Sequence, residues 1–152
     1  MNSHAIIFDC SSTGLDEQLA LALKTIADSY YDATGEPIVV TAGKRTLQRQ
    51  AELMANFSKE QLEAMYCRHG YPSYISQILA LPNPHDAVAV HHVLANRTEG
   101  YISKHLYGQA VDIDAASISS PILFKQICNA AGLSVLDERE NNVPCFHLTM
   151  AK

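Results

Sequence analysis

The sequence predicts an α+β fold, a small antiparallel sheet with helices packed mainly on one face, and three patterns carry that expectation. Leu15, Leu19, Ala22, Leu23 and Ile26 recur at the spacing of one helical face. Ala110-Val111-Asp112-Ile113-Asp114 alternates with period two, as a half-buried strand does. Leu133 to Glu138 and Cys145 to Met150 read as two more strands, joined by Arg139 to Pro144, so the C-terminal third closes a sheet locally.

The first helix is expected over Leu15 to Tyr31, with Thr13 or Asp16 as its cap. Gly35-Glu36-Pro37 breaks it, and Ile38 to Thr41 is a short β-branched run that suits a buried strand. Gly43 turns the chain into a helical stretch from Thr46 to Phe57. Ser58-Lys59-Glu60-Gln61 then supplies a capping box for a helix reaching about Cys67. Between Gly70 and Gly100, Pro72, Pro82 and Pro84 interrupt the periodicity, which predicts short helices and loops. Ser120 to Ala131 fits a helix with Pro121 in its first turn and Gly132 beyond its end.

A chain of 152 residues buries about 68–70% of its unfolded surface, so one domain over residues 1–152 is expected and needs no staples. Its 47% hydrophobic and 18% charged composition excludes disordered and fibrous classes. Eleven Lys and Arg against sixteen Asp and Glu, with the basic residues scattered, leave no footprint for a nucleic-acid backbone. The N-terminus lacks a basic region, and its apolar run from Ala5 to Phe8 is too short for a signal-peptide core or a membrane span. No membrane segment is expected, and synthesis without a signal peptide points to the cytoplasm. Cys10, Cys67, Cys128 and Cys145 are widely spaced with no C-x-x-C pair, and are read as free thiols.

A zinc ion in a catalytic role takes three protein ligands, His nitrogen or carboxylate oxygen, and keeps a fourth position for water. His105 and Asp112 stand seven positions apart around Gly108-x-Ala110. A glycine at the strand entry permits a close approach, and the strand carries Asp112 back past His105. His147 alternates with Phe146 and Leu148, so it projects from the face opposite to theirs, where a third ligand belongs. Asp114 shares the face of Asp112 and is an alternative ligand, although a solvated carboxylate or a helix-start contact suits it better. His85, His91 and His92 have no carboxylate at a spacing that suggests a second metal.

These residues resemble a known family. Ser103-x-His105-x-x-Gly108-x-Ala110-x-Asp112 is similar to the S-x-H-x-x-G-x-A-x-D pattern of zinc D-alanyl-D-alanine carboxypeptidases. The relatives of these enzymes include phage L-alanyl-D-glutamate endopeptidases, vancomycin-resistance dipeptidases and, more distantly, the hedgehog signalling domain. Thr41-Ala42-Gly43-Lys44-Arg45-Thr46, followed by Gln50, resembles the family's S-G-Y-R-S-x-x-x-Q segment, and the late strand with His147 stands where the family places its final ligand. The three elements keep the family's order across residues 38 to 150. The resemblance implies the hedgehog/D,D-peptidase fold, zinc as cofactor, and His105, Asp112 and His147 as its ligands. It further implies Arg45 as clamp for a substrate carboxylate, supported by Ser103 and Gln50, and peptidoglycan peptides as substrate.

The chain departs from that pattern just before His147. Family members carry a glutamate three positions ahead as general base, or a histidine two ahead, where this chain has Pro144 and Cys145. If Asn141-Asn142 forms a two-residue hairpin turn, Glu138 pairs with Cys145 and Leu136 with His147. Glu138 is then diagonal to His147 on one face and becomes the expected base, with Glu140 second, while a one-residue slip hands the role to Asp137. The bland alternatives are a solvated charged turn for both glutamates and, for Arg45, a pairing with Glu52 or a helix cap. Tyr66, Tyr71, Tyr74, Tyr101 and Tyr107 wall a cleft or simply pack. The expected activity is hydrolysis of wall peptides by a zinc peptidase, or, with the base lost, binding of a wall peptide or protein by a zinc module. Release with a holin partner, or injection with an immunity partner, would bring such an enzyme to the wall.

Overall fold

The computed structural model describes residues 4–98 and 101–151. Within the span expected to form one domain, contacts gather the chain into two compact units, one built from the segments up to Lys44 and from Tyr107 onward, the other from Arg45–Leu106.

The first unit holds β1 (Ile6–Phe8), α1 (Glu17–Thr34), β2 (Ile38–Ala42), β3 (Ala110–Asp114), α6 (Pro121–Ala130), β4 (Leu133–Asp137) and β5 (Cys145–Met150). α1 starts where Asp16 accepts a hydrogen bond from the Leu19 amide, and stops at Gly35, whose positive φ lets its N–H return to the Tyr31 carbonyl. The strands form one five-stranded sheet in the order β1-β2-β3-β5-β4. The fold class is α+β as the sequence predicts, but the sheet is mixed. β1 runs parallel to β2, Ile6 opposite Ile38 and Phe8 opposite Val40, and all other pairs are antiparallel. Ile6 to Phe8 is therefore an edge strand, which its three-residue length kept from showing period two in the sequence.

Register divides the sheet into two chemically different faces. Val111 and Ile113 lie opposite Leu148 and Phe146, and these four pack with Leu19, Leu23, Ile26 and Tyr30 of α1 and Phe124 and Cys128 of α6. Burying such side chains is worth roughly 1.5–3 kcal/mol each, enough to specify which way the strands face. Tyr30 meets Phe124 edge-on with ring centroids 5.6 Å apart. The opposite face carries Asp112, Asp114, Cys145 and His147. All four cysteines are free, and burial pushes the Cys128 thiol up to about 12.

The second unit is helical: α2 (Leu47–Ala55), α3 (Lys59–Tyr66), α4 (Ser73–Leu79) and α5 (Ala87–Ala95). Thr46 caps α2, and Ser58 and Gln61 form the expected capping box of α3. Ala51, Met54 and Ala55 of α2 share a core with Leu62, Tyr74, Ile75, Ile78, Val90 and Leu94. No helix among the described residues is long and apolar enough to cross a membrane.

Candidate metal centre

Register alone sets Asp112 beside His147, since the two are direct partners in the β3–β5 ladder and share the face turned away from α1 and α6. His147 Nδ1 and Asp112 Oδ1 are 3.0 Å apart. His105 is buried in a short 3-10 turn, Lys104–Tyr107. Its N–H donates to Ser103 Oγ at 3.3 Å, and its carbonyl accepts from the Arg45 N–H at 2.9 Å. Ser103, also buried, thus shapes the turn that presents the histidine.

His105, Asp112 and His147 each offer one ligand atom, and these atoms all lie within 4.8 Å of one another. Tetrahedral coordination with bonds of about 2.1 Å separates neighbouring ligand atoms by roughly 3.4 Å. The 3.0 Å between His147 and Asp112 is near that spacing, and the 4.8 Å bound on the group leaves side-chain movement to bring all three atoms onto one ion. Two imidazoles and one carboxylate form a donor set that suits zinc and other divalent first-row ions. The group can therefore hold a metal ion, and it is the one such group among the described residues. Asp114 stays outside it, and its carboxylate caps the next 3-10 turn by accepting from the Ala116 N–H.

The glycine of the motif has a concrete steric reason. Gly108 has φ +70°, and a Cβ there would overlap the carbonyl oxygen of Gly14. The Gly108 carbonyl also accepts from the Asp16 N–H at 2.8 Å, so the start of α1 and the entry to β3 are held backbone to backbone. Cys10 lies near this same strand. Burial first, then the carboxylates of Asp9 and Asp112, push its thiol up.

Glu52 faces Arg49 at 4.0 Å. The Arg45 guanidinium donates from Nη1 to Gln50 Oε1 at 2.7 Å, and Gln50 Nε2 donates to the Tyr66 hydroxyl at 2.8 Å. Gln50 is fully buried. Sequence reasoning named Tyr66 only among the tyrosines that wall a cleft or simply pack. The signal that could have found it is the pairing of two long polar side chains, one helix apart, around a side chain too polar to be buried alone.

The β4–β5 register is the expected one, with Leu136 opposite His147. The connection differs: there is no two-residue turn, because Glu138–Asn141 winds into a 3-10 turn closed by Asn142 in the left-handed conformation. Glu138 is buried and accepts from Asn141 Nδ2 at 3.1 Å, whereas Glu140 is exposed. Asp137 lies opposite Phe146, on the face away from His147, and its carboxylate takes two hydrogen bonds from the Arg139 guanidinium. Those bonds from Arg139 hold the Asp137 carboxyl below the usual carboxylate range. Tyr71, Tyr101 and Tyr107 are exposed, and Tyr74 is buried in the core of the helical unit.

No family model, no curated protein and no solved structure matches this chain.

Proposed function

We propose that the chain is a zinc-dependent peptidase that hydrolyses peptidoglycan stem or cross-link peptides containing D-amino acids. The observation that carries this reading is the convergence of His105, Asp112 and His147 on one small volume, from the positions that the S-x-H-x-x-G-x-A-x-D segment and the late strand of the resemblance assign to ligands. Bound zinc would supply a water of lowered pKa and a polarised carbonyl.

The remaining work falls to the chain's own side chains. His105, Asp112 and His147 would hold the ion, each deprotonated at its ligating atom. Ser103 fixes the backbone that aims His105. Arg45 would receive a substrate carboxylate through parallel N–H donors, a match that a guanidinium makes better than an ammonium. Glu138 would take a proton from the attacking water at a carboxylate oxygen and return it to the departing amine nitrogen, so that the C–N bond is exchanged for a C–O bond with no proton lost.

Digestion of purified peptidoglycan by the zinc-loaded protein, followed by separation of the fragments, tests the proposal. Muropeptides are expected from the native protein and none from His105→Ala. Equal release by that variant, or a protein that takes up no zinc, would sink it. Comparing D-alanyl-D-alanine with intact sacculi separates a dipeptidase from a wall endopeptidase. A second reading, a zinc module that binds a wall peptide or protein partner without turnover, is favoured by Pro144 and Cys145 standing where the family's base would be. Binding of muropeptides without turnover would support it, and turnover abolished by Glu138→Gln would reject it.

A further inference from the structure

We propose that Asn141 is a positioning residue for Glu138, fixing the rotation of its carboxylate through a 3-10 turn that Asp137 and Arg139 pin beside Phe146. The inference deepens the peptidase reading, on which the role of Glu138 as base rests, but its own argument is the geometry of the turn.

A 3-10 helix has three residues per turn, so side chains at i and i+3 eclipse one another. Glu138 and Asn141 are the first and last residues of such a turn and stand in that relation. Their side chains meet, with Asn141 Nδ2 3.1 Å from Glu138 Oε2. A carboxylate only accepts, so the amide atom turned toward it is the nitrogen, and the bond has one direction. The terminal torsion of a glutamate is broad and two-fold, so its carboxylate needs a partner to hold one orientation. A bond to one oxygen fixes that torsion, and with it the place of the second oxygen. A two-residue hairpin at Asn141-Asn142 would make Asn141 part of the reversal and remove this stacking.

The turn is held at both ends. At its start Asp137 Oδ1 accepts from the Arg139 N–H at 3.1 Å and from Arg139 Nε at 2.9 Å, while Oδ2 accepts from Nη2 at 2.7 Å. The guanidinium so held lies over the Phe146 ring, 4.8 Å from its centroid. At its end Asn142 takes φ 62°, and its N–H returns to the Arg139 carbonyl at 3.0 Å. The Val143 N–H likewise returns to the Glu138 carbonyl at 3.1 Å. Asp137 is extended and faces the Phe146 side, so the next side chain leaves toward the face of Leu136 and His147. Glu138 is thereby directed to the ligand face and is buried there. An aspartate at 141 would repel its carboxylate and a lysine would pair with it, whereas a neutral amide orients it without adding charge.

The test uses the zinc-loaded full chain. Proton–nitrogen NMR reads the Asn141 side-chain amide and the exchange of the Val143 N–H, and hydrolysis of a soluble peptidoglycan fragment gives kcat and KM. In the native protein the Asn141 amide protons should exchange slowly, and Glu138→Ala should return them to the rate of a solvated amide. Asn141→Ala should lower kcat about tenfold or more, as loss of one hydrogen bond to a charged group predicts, with KM, zinc content and Val143 exchange unchanged. Asn141→Asp keeps the shape and removes the donor, and should do the same if the alanine variant does not fold. Asn141 amide exchange that is the same with and without Glu138, or a native kcat in the Asn141 variants, overturns the proposal. A native protein that never cleaves fails the peptidase reading, and the amide exchange of the native and Glu138→Ala chains then decides the positioning by itself.

Discussion

His147 and Asp112 face each other because β3 and β5 are in register, and their 3.0 Å contact means that either a shared proton or a shared metal holds them together. With zinc present in solution, elemental analysis should find about one zinc per native chain. His147→Ala and Asp112→Ala should each weaken zinc by more than the 10–100-fold typical of losing an outer-shell partner. Undiminished zinc in both variants would place the metal elsewhere. Asp137 allows a different residue-level test. Hydrogen bonds from Arg139, the largest cause, lower its carboxyl pKa, so the folded state favours the ionised form. The associated stability is fully present above the unfolded value near 4 and fades as pH falls through the lower folded value. The Arg139 partner is about half exposed, so Asp137→Asn should cost only about 0.5–1 kcal/mol at pH 7 and less at an acidic pH below about 4. Urea unfolding at both pH values checks the sign, and a cost that grows on acidification would contradict it.

At the level of elements, the entry to β3 is backbone that a side chain at Gly108 would disturb. Gly108→Ala should cost at least about 2 kcal/mol, from the left-handed conformation and the overlap with the Gly14 carbonyl, and should weaken metal binding as the turn bearing His105 shifts. Denaturant melts with and without zinc measure both effects, and a stable variant with native zinc affinity would show that the approach is slack. The glycine was legible as part of a spacing, but its partner was not, because Gly14 lies 94 positions away and sequence periodicity carries no long-range contact. The same limit hid β1, three residues whose parallel pairing with β2 is made across the whole of α1. α1, β2, β3 and β5 were readable because each buries a continuous face, so its apolar residues recur at its own period. The β4–β5 register was readable for that reason too, with Leu136 reaching His147 as expected. The turn was not: a 3-10 turn closed by Asn142 and a two-residue hairpin leave the same residues polar.

On the scale of the whole molecule, the ligands come from positions 105, 112 and 147, which the unfolded chain does not hold near one another. A metal bound only to the folded state shifts the folding equilibrium by mass action, about 2.7 kcal/mol when free metal is a hundredfold above its dissociation constant. For a chain of 152 residues, 1 kcal/mol moves the melting temperature by roughly 2–4 °C. Removing metal with a chelator should therefore lower the melting temperature by roughly 5–11 °C, and added zinc should restore it. In His147→Ala the melting curve should no longer respond to chelator or zinc, because the ladder partner of Asp112 is gone while the apolar face beneath it is intact. A native protein whose melting ignores both additions would mean that Asp112 and His147 are joined by a proton alone, and that the three-residue group is a structural contact of the sheet.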